Sequence, residues 1–71
     1  MFIQLSKFGN TFGDTEPVFV NPRQIECFYS FLDVLGGKEV TVTKVQFNQG
    51  FLLVNELPTT IQSYIISALR G

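Results

Sequence analysis

Apolar residues recur at every second position through most of this chain and then, from Pro58 onward, at every third or fourth. A repeat of two belongs to a strand with one buried face, and a repeat of 3.6 belongs to a helix with one buried stripe. The switch happens once, so the expected order is a run of strands followed by a single C-terminal helix. Turn residues divide the first part. Gly9–Thr15, Asn21-Pro22, Gly36-Gly37 and Asn48-Gln49-Gly50 separate five runs, giving expected strands over residues 2–8, 16–21, 25–32, 39–47 and 51–54. The helix is expected over residues 58–69, its stripe made by Ile61, Ile65 and Leu69 and widened by Tyr64 and Ala68. Pro58 suits the first helical position, whereas Thr59 and Gln62 have capping-box spacing; the two readings put the helix start at different residues.

Within the strands, the pattern also says which faces are covered. Ile25, Cys27, Tyr29 and Phe31 alternate with Phe28 and Leu32, so both faces of that run are partly apolar and it reads as a strand that is central or covered on both faces. Cys27 then reads as core filler. Between Val42 and Val45 the apolar set changes face, which suggests a bulge in the fourth strand. The expected fold is a β-rich α+β domain: a small, highly twisted antiparallel sheet or half-open barrel of about five strands, with the helix over one face.

At 71 residues the chain is one domain near the lower limit of independent folding. Domains of this size commonly lean on disulfides, a metal or a partner. One cysteine and no histidine make the first two improbable supports, which leaves self-association. Charged residues are only 15% of the chain while aromatics reach 14%, an apolar load larger than so small a core absorbs. Apolar surface left over usually marks an interface. Phe12, Phe28, Tyr29, Tyr64 and Ile66 are the candidates, Ile66 because it falls off the helical stripe.

Catalysis finds no foothold in the sequence. Without histidine there is no ordinary base for Cys27 or a serine, and the six acids sit singly beside turns and element starts. Gly9…Gly13 and Gly36-Gly37-Lys38 lack both the lysine–hydroxyl ending and the following helix of a phosphate loop. Five basic residues dispersed among six acidic ones provide no groove for a nucleic-acid backbone. No run is long enough to span a membrane, and Met1 leads directly into a strand-like segment, so the expected location is the cytoplasm. The sequence therefore reads as a non-catalytic interaction module, without cofactor or metal, that pairs with itself or another protein. A second reading is a small-molecule binder, for a nucleotide-like ligand held at subunit interfaces, with Arg23 and Lys44 as candidate contacts.

Several short segments carry a resemblance. Ile3-Gln4-Leu5, Val18-Phe19-Val20-Asn21-Pro22 followed by Ile25, Thr43-Lys44-Val45, Gln49-Gly50, Val54-Asn55-Glu56, and Ile61 with Ile65 occur in the order found in the flagellar FlbD-like family of short bacterial and phage proteins. The chain departs from that pattern in longer loops at Gly9–Thr15 and Leu32–Lys38, and in Leu57 where a serine is usual. The resemblance implies a β-β-β-β-α type of fold and a setting in motility gene clusters or mobile elements.

Overall fold

The computed structural model describes residues 1–9 and 14–70, with the backbone alone at Leu35. Its elements are β1 (Ile3–Phe8), β2 (Thr15–Val20), a short 3-10 turn (Pro22–Gln24), β3 (Ile25–Leu35), β4 (Lys38–Phe47), β5 (Gly50–Val54) and α1 (Pro58–Arg70). The strands form one antiparallel sheet in the order β2-β1-β5-β4-β3, which is not closed. The β-rich α+β class and the single C-terminal helix are as the residue pattern predicts.

One face of the sheet carries the core. Ile3 and Leu5 of β1, Val20 of β2, Val45 of β4 and Val54 of β5 close onto Ile61 of α1. Ile65 and Ala68 add to the contact from the next turns of the helix. Leu69, expected in the same stripe, is exposed. On a wheel of 100° per residue it stands about 80° from Ile61, whereas Ala68 stands within about 20°.

β2 and β3 are the two edges of the sheet, yet only Asn21–Gln24 connect them. A flat five-stranded sheet places its edges roughly 19 Å apart. Five residue steps cover at most about 17 Å when fully extended, and this connection contains a helical turn. The sheet therefore has to curl. The turn is held by Asn21, whose Oδ1 accepts the Arg23 N–H at 3.0 Å while its carbonyl accepts the Gln24 N–H at 3.0 Å. Pro22 sits buried within it.

Three expectations need correction. β3 is an edge strand, not a central one. The irregularity lies in β3 between Ile25 and Cys27, and β4 pairs without a shift from Lys38 to Val45. Val42 and Val45 are both buried because each face of β4 buries one of them: Val45 belongs to the core under the helix, and Val42 stands opposite Phe31 on the other face. The extra residue in β3 changes its parity, so Ile25 joins Phe28 against the core and Cys27 comes out exposed opposite Gln46. β3 also runs to Leu35, three residues beyond expectation, because Gly36 (φ 61°) and Gly37 (φ 82°) make a two-residue turn between Leu35 and Lys38. The expected loop at Gly9–Thr15 falls largely outside the described residues; at its base the Gly9 N–H donates to the Asp14 carbonyl at 3.0 Å.

Candidate functional site

Curling the sheet leaves an opening at one end. A cleft of about 740 Å³ lies between the Asn21–Glu26 connection and the β4–β5 hairpin. Phe2, just before β1, and Phe19 of β2 line it, with Phe47 and Phe51 from the hairpin. Phe2, Phe19 and Phe51 are largely exposed, Phe2 at 66%. Arg23 brings a cation to the wall and Glu26 an anion. Arg23 is placed by the turn that the buried Pro22 anchors, so the same residues that bend the sheet position the guanidinium.

Lys44 is not in this cleft. Its Nζ lies 4.3 Å from the centroid of the Phe51 ring, on the face away from the helix. Arg23 and Lys44 therefore do not converge, and the ring of Phe51 is what they have in common. Phe2, Phe19 and Phe51 were not singled out in the sequence. Each occupies an alternating position that looks like ordinary strand patterning, and only the curl brings them together.

A second surface is the long β3–β4 ribbon. Eleven residues of strand extend roughly 36 Å, whereas the thirteen-residue α1 covers only about 20 Å. The far half of the ribbon has no helix above it. Leu32 and Val34, on the core-facing side, are 67% and 63% exposed. The opposite face carries Tyr29 and Phe31, whose ring centroids lie 6.2 Å apart, beside the buried Val42.

The remaining interface candidates divide. Tyr64 and Ile66 are exposed on α1, Tyr64 bordering a shallow groove with Phe2, Gln4 and Glu56. By the wheel, Ile66 stands about 140° from the buried Ile61, so the two point to different surroundings. Phe28 is half-buried and packs on the core, so what its position offers a neighbour is mainly backbone. Phe12 lies outside the described residues.

The Cys27 thiol is exposed, and its recorded neighbour is the Gln46 amide oxygen at 3.8 Å, which is no base. Among the described residues no three acids or thiols gather as a metal site. Among the described residues no helix is long and apolar enough to cross a membrane. Comparison with protein-family models, with curated proteins and with solved structures gave no match.

Proposed function

We propose that this chain is a non-catalytic interaction module that works as a homo-oligomer and presents its remaining surface to another protein. The observation that carries this reading is the imbalance between core and surface. Seven hydrophobic side chains are buried, while eleven large hydrophobic ones are exposed among the described residues. Exposed apolar side chains are ordinary when scattered. Here Leu32 and Val34 continue the core-facing side of the sheet beyond the helix, which extends one apolar surface instead of scattering it. Light scattering on the eluting protein at tens of micromolar tests the proposal. A mass of two or more chains is expected, and a clean monomer overturns it.

The cleft favours a second reading, in which a small planar anionic ligand lies among Phe2, Phe19 and Phe51 with Arg23 as its counter-charge. Its volume is within the range of small-molecule sites. Native mass spectrometry of protein taken directly from cells tests this reading. A retained ligand mass that disappears in Arg23→Ala supports it, and protein devoid of any adduct counts against it. The resemblance to the FlbD-like family would place either activity in a motility or phage setting.

A further inference from the structure

The two edges of the sheet differ in how they treat a neighbouring strand. Edge backbones are templates for pairing, and proteins usually blunt them. Ladder alternation shows which residues aim their N–H and C=O outward. In β2, Val20, Val18 and Glu16 face Ile3, Leu5 and Lys7 of β1. The Ser6 N–H and carbonyl are bonded on the other side, to Glu56 and to Asn55. Thr15, Pro17 and Phe19 therefore face out from β2, and Pro17, having no N–H, spoils that edge for pairing.

β3 has no such guard. The two-residue turn at Gly36-Gly37 makes Leu35 and Lys38 a hydrogen-bonded pair. Counting back, Asp33, Phe31, Tyr29 and Cys27 bond inward to β4, while Val34, Leu32, Ser30 and Phe28 face outward. The Val34 N–H is taken locally by Asp33 Oδ1 at 2.8 Å. At the other end the bulge at Glu26 ends the ladder. Three consecutive outward residues remain, Phe28, Ser30 and Leu32, and they are symmetric about Ser30.

We propose that β3 pairs antiparallel with β3 of a second copy of this chain, about a two-fold axis at Ser30, joining two sheets into one of ten strands. This rests on the homo-oligomeric reading above and gives it a surface. On that axis Ser30 faces Ser30 of the other copy, and Phe28 faces Leu32. Both are hydrogen-bonding pairs, and the exposed Leu32 side chain gains an apolar partner. On the opposite face Tyr29 meets Phe31, and Cys27 meets Asp33. Neither acid stands opposite an acid. Every other two-fold register puts one of the three outward residues opposite Val34, opposite Glu26 or outside the strand. Charge, backbone and side chains thus agree on one register.

Surface area supports a second copy as the occupant. A compact 8.0 kDa monomer exposes roughly 4,450 Å². This chain exposes 4903 Å², about a tenth more. Contributed by both copies, the excess is about 900 Å², the size of a small, weak interface, below about 1,200 Å² in total.

Cysteine cross-linking tests the register, in a Cys27→Ser background with copper phenanthroline as oxidant. Ser30→Cys would place two thiols on the axis with Cα atoms about 5.5 Å apart, inside disulfide range. Val34→Cys would place them roughly 26 Å apart on the same strand. The expected result is a disulfide dimer from Ser30→Cys at about tenfold or greater yield over Val34→Cys, as disulfide geometry requires. Equal yields, or more dimer from Val34→Cys, overturn the proposed pairing even if the wild-type chain is oligomeric. A monomeric wild-type chain overturns both this pairing and the reading it rests on. Ser30→Pro removes only an outward donor, so it should keep the native circular dichroism and halve the measured mass. A folded Ser30→Pro of unchanged mass also overturns the pairing.

Discussion

At the scale of single residues, Glu56 shows a carboxylate serving the sheet. Its two oxygens accept the Ser6 N–H at 2.9 and 3.0 Å. They stand where β5 has already turned away, since β1 and β5 share only the Lys7–Val54 register and the bond from Asn55 to the Ser6 carbonyl. Without the carboxylate, a partly buried donor loses its acceptor. Glu56→Ala should cost about 1–2 kcal/mol in urea denaturation. Glu56→Gln, which keeps an acceptor oxygen, should lose less. The sequence assigned Glu56 no role in the sheet, because its partner lies fifty residues away. Lys44 is a second case. Packed over Phe51, it contributes about 0.5–1 kcal/mol if its cation matters. Lys44→Met should lose about that amount, with the loss largest at low salt. An unchanged stability would mean that the stem packing alone matters.

At the scale of elements, α1 contributes through one side. Ile61 is completely buried in the core on the sheet, so Ile61→Ala should destabilise by about 2–5 kcal/mol. Ile66→Ala should stay within about 0.5 kcal/mol for the monomer. A much larger effect of Ile66→Ala, measured as concentration-dependent melting, would identify α1 as a second contact between copies. The spacing of Ile61 and Ile65 made this side legible in advance. Leu69 was misplaced because a repeat of four drifts around a helix with 3.6 residues per turn. β3 was misread for a related reason. Apolar residues on both of its faces implied cover on both sides, but the strand is an edge, and the apolar residues of its outer half extend past the helix. Amide exchange tests the consequence. The N–H groups of Phe28, Ser30 and Leu32 should be protected in the wild-type chain, and those of Phe28 and Leu32 should exchange quickly in Ser30→Pro.

At the scale of the whole molecule, shape carries the function proposed here. The Cα radius of gyration is 12.2 Å, against roughly 11 Å for a compact chain of this length. The longest dimension is 40 Å, close to the span of the β3–β4 ribbon. A chain so small would bury more surface by folding the ribbon back, yet the ribbon stays extended with apolar residues along it. Pairing through β3 would cover this surface and bring Val34 of the second copy opposite Glu26, at the wall of the cleft that holds Phe2, Phe19, Phe51 and Arg23. A dimer of this kind presents two equivalent clefts, so any ligand found should bind with two sites per dimer in calorimetry.

The sequence alone determined the elements: alternation is a local steric property of strands, the 3.6 repeat a local property of helices, and glycine pairs and prolines punctuate both. It also determined the absence of histidine and the single cysteine, on which the non-catalytic reading proposed above rests. The tertiary structure decided everything that depends on neighbours. Strand order made β3 an edge, one extra residue at Glu26 turned Cys27 outward, and a four-residue connection forced the curl that gathers the rings around Arg23. Those outcomes follow from chain closure and ladder register, which join residues far apart in sequence and leave no periodic trace in it.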